Sequence, residues 1–443
     1  MSLQPGPIKL IGFLCNWCSY AGADLAGVSR FQYDASIRIV RLPCSGRMDP
    51  LLALKALQDG ADGVLISGCH PGDCHYSDGN YFARRRFAVV RSLMEFVGLD
   101  PRRLQMSWVS ASEGKKWAEV VNEVAGAVTA ARDEARAAGQ TAAAPLPAAS
   151  GDRVPPREDP ELTAALRQTA RDLLATGRVQ ALLGHRRRPG GRPGTALLVA
   201  TGPEALEELV AFQGDAPNLA CHLKSTVERH GTTALVGKGS DLLTAINLVR
   251  ENQLQRQSIV LVGLGFPEPA AGGSESLRPG RVQEAVGLTQ AADLVVGARP
   301  AAVPDETFAD VAAIDALPRP ARYAFWREQF GSCLRCYACR SACPSCYCKT
   351  CFADSRRPAW TSPAPSAESS LYFHLIRAYH LAGRCAGCRE CQRVCPMQIP
   401  LLTLARKASQ VVQELFGHRV SADPQVKNPL AAFAMDDQVD FIR

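Results

Sequence analysis

No stretch of about eighteen consecutive apolar residues occurs in this chain, so no helix is expected to span a bilayer. The opening residues, Met1-Ser2-Leu3-Gln4-Pro5, lack a charged region followed by an apolar one, which argues against a secretory leader and for a cytoplasmic chain. A block of one charge sign is also missing. The formal charge of +7 is carried by dispersed arginines, so nucleic acid is not an expected partner. One local exception, His185-Arg186-Arg187-Arg188, stands beside Pro189-Gly190-Gly191 and reads as a solvated linker. Neither a Ser/His/Asp nor a Cys/His arrangement stands out, and no catalytic residue is assigned.

What the chain has instead is cysteine, 17 in all. Inside a cell, clustered thiols mean metal or redox work rather than disulfides. They fall in two groups, Cys15 to Cys74 and Cys333 to Cys395, with Cys221 alone and read as a small buried hydrophobe.

The 443 residues suggest several domains. Strand patterns at 8–14, 37–42, 63–67 and 104–109 alternate with helical ones at 50–58, 81–97 and 112–131, which implies a parallel sheet covered on both faces. Residues 137–160 are rich in Ala, Pro, Gly and charge, as in a linker, and a helix opens at Asp159-Pro160 and fades near Gly184. A second α/β unit follows, with strands at 196–200, 233–236, 258–263 and 293–297 and helices at 203–212 and 241–251. From Pro318 short helices and dense cysteine take over. The expected division is 1–136, an α/β parallel-sheet domain; 137–194, a linker with one helix; 195–317, a small α/β platform; and 318–443, a mostly α-helical domain.

Two runs in the last part share one spacing: Cys333-Leu-Arg-Cys336-Tyr-Ala-Cys339-Arg-Ser-Ala-Cys343-Pro344 and Cys385-Ala-Gly-Cys388-Arg-Glu-Cys391-Gln-Arg-Val-Cys395-Pro396. Each is C-x₂-C-x₂-C-x₃-C-P, the bacterial two-cluster ferredoxin pattern. Three closely spaced thiolates wrap one cubane, and the fourth, a helical turn on, points to the other. One [4Fe–4S] centre then takes Cys333, Cys336, Cys339 and Cys395, and the other Cys385, Cys388, Cys391 and Cys343. Zinc, which also favours C-x₂-C pairs, is the competing reading. Helix 369–381 lies between the runs, with Leu371, Leu375, Ala378 and Tyr379 sharing a face. Its His374 and His380 read as packing or surface histidines. The arrangement resembles the α-helical ferredoxin domains of respiratory and heterodisulfide reductase subunits. Cys346, Cys348 and Cys351 exceed the pattern, either as a further centre or, preferably, in a local structural or accessory role.

In the first group, Cys15 and Cys18 follow the first strand, Cys44 the second, and Cys69 and Cys74 the third. Loops at the carboxyl ends of parallel strands gather at one edge, so these thiols should converge. Spacing leaves iron–sulfur and zinc level. The stretches Cys15-Asn-Trp-Cys18-Ser-Tyr, Cys44-Ser-Gly-Arg47-Met-Asp49-Pro, Gly68-Cys69-His70-Pro-Gly72-Asp73-Cys74-His75-Tyr76, Gly79-Asn80-Tyr81 and Trp108-Val-Ser110-Ala-Ser112-Glu113-Gly114 resemble the MvhD family, the delta iron–sulfur subunits of methyl-viologen-reducing hydrogenase. The resemblance implies one [2Fe–2S] cluster on four of the five cysteines. It also implies electron passage between a hydrogenase or formate dehydrogenase, or another oxidoreductase, and an HdrA-type flavoprotein. Arg47, His70 and His75 flank the thiols, either to tune the cluster or to cap loops.

The middle unit is similar to parts of the beta subunits of deazaflavin-dependent hydrogenases and formate dehydrogenases. Gly237, Lys238 and Gly239 enter a helix after a strand, where a phosphate or FAD can be cradled, yet neither G-x-G-x-x-G nor a Walker pattern is present. A packing and docking domain is the preferred expectation. The leading function is an electron-transfer subunit, a carrier more than a catalyst. Its alternatives are a flavin-binding oxidoreductase that uses a deazaflavin or nicotinamide, and a zinc-built scaffold without redox function.

Overall fold

The computed structural model describes residues 6–137, 155–191, 194–266, 281–362 and 364–443. Most of the expected Ala/Pro linker, residues 138–154, and the opening residues 1–5 lie outside them.

The first unit runs β1 (Leu10–Cys15), α1 (Ser19–Val28), β2 (Ile37–Leu42), α2 (Pro50–Gln58), β3 (Gly63–Gly68), α3 (Gly79–Phe96), β4 (Leu104–Trp108) and α4 (Gly114–Ala137). Its strands are all parallel in the order β2-β1-β3-β4, with Leu10 opposite both Ile37 and Gly63. Strand side chains alternate between faces. Leu10, Leu14 and Leu65 meet Trp117, Val121 and Val124 of α4, while Phe13, Val64 and Ile66 meet Leu54, Phe87 and Leu93 of α2 and α3. Every β3 residue is buried, as a central parallel strand requires.

The second unit contains β5 (Arg157–Glu158), α5 (Pro160–Ala175), β6 (Ala181–Arg187), β7 (Thr195–Ala200), β8 (Phe212–Gln213), α6 (Ala220–His230), β9 (Thr233–Gly237), α7 (Gly239–Arg250), β10 (Ile259–Gly265), α8 (Arg281–Val286) and β11 (Leu294–Gly297). Its main sheet is mixed, β11-β10-β9-β6-β7, and only the β6–β7 pair is antiparallel. Residues 185–188 are therefore not a solvated linker. β6 is an interior strand, His185 is buried, and its Nε2 pairs with the Pro217 carbonyl at 2.9 Å. The following arginines sit at the surface, Arg186 on Glu208 and Arg187 on Glu158. The helix that opens at Pro160 stops at Ala175, and residues 204–208 form a short 3₁₀ turn in place of the expected helix at 203–212.

The last unit is helical: α9 (Ala309–Asp315), α10 (Arg319–Gly331), α11 (Ala338–Ser341), α12 (Ala367–His380), α13 (Glu390–Arg393) and α14 (Leu401–Phe416). Its core is continuous with that of the first unit. Phe325, Trp326, Phe330, Phe373 and Leu404 join Phe87, Leu93 and Phe96 in one cluster, and α3 packs on both α12 and α14. The chain's end completes this union. Phe441 stacks on Phe87, Asp437 pairs with Arg84 and Arg85, and Ile442 forms a parallel bridge to Met106 of β4. First and last units are thus neighbours in space although far apart in sequence.

Candidate metal centres

The carboxyl edge of the first sheet gathers all five expected thiols. β1 ends in Cys15, and Cys18 precedes α1. Cys44 caps a 3₁₀ turn, its Sγ accepting from Gly46 N, and Cys69 and Cys74 lie in the loop after β3. Four are buried and Cys18 is half-buried. Cys15 Sγ lies 3.6 Å from Cys69 Sγ, and Cys44 Sγ lies 3.7 Å from Cys74 Sγ. Two thiolates on one tetrahedral metal, with metal–sulfur bonds of about 2.3 Å, stand about 3.8 Å apart. Each pair therefore has the spacing of ligands sharing a metal.

The surroundings preserve that approach. A Cβ on Gly79 would sit 2.4 Å from Cys44 Sγ, so the start of α3 has no room for a side chain. Buried Asn80 donates to the carbonyls of Cys69 and His70 at 3.1 and 2.7 Å, fixing the loop. The thiols also compete for charge. Hydrogen bonds from Cys44 and then Cys69 push Cys15 down, and the same bonds push Cys44 and Cys69 up. Five contiguous thiols cannot all ionise unaided, and bound metal cations would remove that conflict.

The flanking residues do other work. His70 pairs with Glu113 at 2.7 Å. Burial pushes the Glu113 carboxyl up, but the Ser110 N–H and His70 outweigh it and hold it at about 2. His75 stacks on Trp17 at 3.8 Å, and Arg47 is exposed.

The two C-terminal runs fold alike. In each, the residues on either side of the second cysteine have positive φ: Arg335 and Tyr337 in one, Gly387 and Arg389 in the other. Non-glycine residues there cost roughly 1 kcal/mol apiece. Alternating backbone handedness turns N–H groups inward to make an anion-binding nest. The N–H groups of Arg335 and Gly387 accordingly donate to the thiols of Cys333 and Cys385. Helices α11 and α13 follow the two loops and pack together.

The fourth thiol of each loop acts electrostatically on thiols of the other loop. Cys339 lies in the field of Cys333, Cys395 and Cys336, and Cys391 in that of Cys385 and Cys343. Burial pushes Cys339 up to about 11 and Cys391 up to about 12, so both are protonated thiols until a cation displaces the proton. Arg377, buried on α12, donates from Nη2 to the Cys339 carbonyl at 2.9 Å. The charges that act on it most strongly are those of Cys343, Cys391, Cys346 and Cys339. A buried guanidinium among thiols fits an anionic group such as a thiolate-bound cluster.

Cys346 bonds to Cys343, Cys351 is beside Arg340, and Cys348 is exposed. Cys221 is exposed, not a buried hydrophobe, and its Sγ bonds the Asn218 carbonyl at 3.3 Å. His380 meets Phe352 edge-on. His374, read from the sequence as a packing or surface histidine, has its Nε2 3.3 Å from Cys333 Sγ. Its place one turn before Arg377 on a helix between two cysteine runs was the available signal.

The expected phosphate or flavin cradle at Gly237, Lys238 and Gly239 is filled by protein. A Cβ on Gly239 would lie 1.9 Å from the Glu284 carbonyl oxygen. The Glu284 carboxylate accepts from Ser240 N and Oγ at 3.1 and 2.7 Å, taking the helix N-terminus. Lys238 donates to the Ala216 carbonyl and pairs with Asp241, which burial holds up at about 7.

Comparison with known proteins covers the first unit. Residues 10–131 match the family model of the methyl-viologen-reducing hydrogenase delta subunit. The iron–sulfur subunit of the vhc F420-non-reducing hydrogenase from Methanococcus voltae is 52% identical over 116 residues, 26% of this chain and 81% of that protein. The iron–sulfur subunit of the F420-non-reducing hydrogenase from Archaeoglobus profundus is 48% identical over 115 residues, 26% of this chain and 84% of that protein. The same part of the chain is 47% identical to 114 residues of a ferredoxin/F(420)H(2)-dependent CoB-CoM heterodisulfide reductase subunit from Methanosarcina acetivorans, 26% of this chain and 14% of that protein. Through the unit that gathers the five thiols, the chain belongs to the methyl-viologen-reducing hydrogenase delta-subunit family.

Proposed function

We propose that this chain is an electron-relay subunit of an oxidoreductase complex, with one [2Fe–2S] centre at the N-terminal crest and two [4Fe–4S] centres in the C-terminal loops. The observation that carries the reading is the action of each fourth thiol on thiols of the other loop, between two loops of matching backbone form, in a chain whose other end belongs to an iron–sulfur subunit family. At the crest, the touching pairs Cys15·Cys69 and Cys44·Cys74 are the proposed ligands, with Cys18 the fifth thiol. Two metals with two thiolates each leave positions for bridging sulfides.

Bound there, clusters supply reversible one-electron storage. The protein's part is to exclude water, supply thiolates and set the local charge. The partners we propose are an HdrA-type flavoprotein of heterodisulfide reductase and a hydrogenase-type protein, because the relatives of the first unit are named for those two enzymes. A formate dehydrogenase has no support among those names and is not carried forward. Among the described residues no helix is long and apolar enough to cross a membrane. The flavin-enzyme alternative loses its candidate cradle to Glu284 and Gly239.

The test is iron and sulfide analysis with EPR on the reduced, anaerobically prepared full chain. One [2Fe–2S] and two [4Fe–4S] centres give about ten irons per chain. Zinc without sulfide would sink the relay reading.

A further inference from the structure

Helix α12 is buried almost all round, yet three residues on one of its faces are polar. Ser370, His374 and Arg377 stand at the i, i+4, i+7 spacing of a single helical stripe and are 0, 3 and 5% exposed. A buried polar stripe ordinarily finds protein partners. Here His374 Nδ1 and Arg377 Nε have none. What faces the stripe is sulfur. Ser370 and His374 adjoin Cys333, with His374 Nε2 at 3.3 Å, and Arg377 sits among Cys339, Cys343, Cys391 and Cys346. The His374 ring is wedged against Phe330 at 4.8 Å, which fixes its direction.

Resting on the relay reading above, we propose that this face of α12 sets the reduction potentials of the two C-terminal centres. Arg377 is the cation shared by both, and His374 and Ser370 are donors to the Cys333 centre alone. A metal-bound thiolate can only accept, so the imidazole at 3.3 Å donates from Nε2 to Cys333 Sγ. Hydrogen bonds to cluster sulfur and a nearby positive charge both favour the reduced, more negative state, and so raise the potential. Because Arg377 lies in the charge field of thiols from both proposed centres, while His374 contacts only Cys333, the helix sets a difference between the two centres as well as their mean.

These are positioning residues, so the readout is the potential itself. EPR-monitored redox titration of the full chain should show R377M shifting both [4Fe–4S] midpoints downward, and H374F shifting only the centre that includes Cys333. R377K, keeping the charge, should lie between R377M and the unmodified chain, and H374Q, keeping an N–H donor, should lie close to it. If R377M fails to hold its iron, the pair H374F and H374Q decides. A one-centre shift in the first that the second reverses supports the proposal, and no shift in either overturns it. Unmoved potentials in R377M and H374F with full iron and sulfide overturn this inference alone. Absence of two cubane signals in the unmodified chain overturns the relay reading and this inference with it.

Discussion

The two thiol regions reach similar ends by opposite routes. At the N-terminal crest, sulfurs from residues 15, 44, 69 and 74 meet only because three parallel strands end at one edge. Local turns shape single loops, as at Cys44, but no one turn brings the four together, and the site exists only where the sheet exists. In the C-terminal region three thiols of each proposed set sit within seven residues, on loops that share one pattern of positive-φ residues. In the proposed sets only the fourth thiol, Cys343 or Cys395, comes from the other loop. The crest is therefore a product of topology, and the loops are local structures that the proposed exchange ties together.

That contrast predicts where damage spreads. Replacing Cys395 with Ser should have the largest effect, because it removes a ligand from one loop's centre while sitting in the chain of the other. Loss of about four irons per chain is expected, with the crest's two retained. Iron analysis and EPR of C395S measure this, and loss of the [2Fe–2S] signal as well would show that the regions are not separable.

The next effect concerns the union of the chain's ends. Asp437 has a side chain 5% exposed and faces two guanidinium groups, Arg84 and Arg85, that are 2 and 9% exposed. Burial raises its pKa, but the Arg85 and Ala434 contacts win and hold it below the usual carboxylate range. In D437N both cations lose their counter-charge, a change that costs about 3–5 kcal/mol in buried pairs. Urea unfolding of D437N beside the unmodified chain checks this. Because α3 carries both arginines and packs against α12 and α14, the loss should appear at both ends together.

A smaller effect is predicted for the middle unit under acid. Burial holds His185 down at about 4, against an ordinary value of 6.5. Its depressed pKa means that the unfolded chain takes up a proton first. The stability it protects is intact above about pH 6.5 and is lost progressively down to about pH 4, up to about 3 kcal/mol. H185Q keeps a donor for the Pro217 carbonyl but does not titrate. The difference in unfolding free energy between the two chains should shrink as pH falls across that window and then level off. A difference that stays constant would place the acid sensitivity elsewhere.

How much of this was legible follows the same division. The proposed C-terminal ligand sets were read from spacing, because three thiols of each lie within one short run. The first sheet was legible from alternation, and α2 was read with its observed bounds, Pro50–Gln58, since Asp49 caps it and Pro50 opens it. Helix α1 was not, because its buried face is Ser19, Gly22, Ala23 and Ala26, too small to give an apolar period. Gly22 is small for a tertiary reason, since a Cβ there would lie 2.7 Å from the Ser110 carbonyl oxygen. β6 was hidden by the basic residues at its end. The core shared by first and last units leaves no local trace, and neither does the polar stripe of α12, whose meaning depends on the sulfurs across from it.

The smallest predicted effect asks whether topology alone selects the crest's ligands. Four of its five thiols form touching pairs at the spacing of a shared metal, while Cys18 is half-buried at the start of α1. Burial leads the causes that raise Cys18, so it is not the thiol that ionises first. Removing it as C18S should leave the [2Fe–2S] signal and the iron count essentially unchanged. C69S, which breaks the pair with Cys15, should abolish the signal and release about two irons. The two variants differ in one respect that matters: Cys69 is held at a strand end by Asn80, whereas Cys18 belongs to a helix start that could move without disturbing the sheet. If C18S instead loses the centre and C69S keeps it, then the local helix cap, and not the convergence of strand ends, chooses the ligands, and the contrast between the two regions collapses.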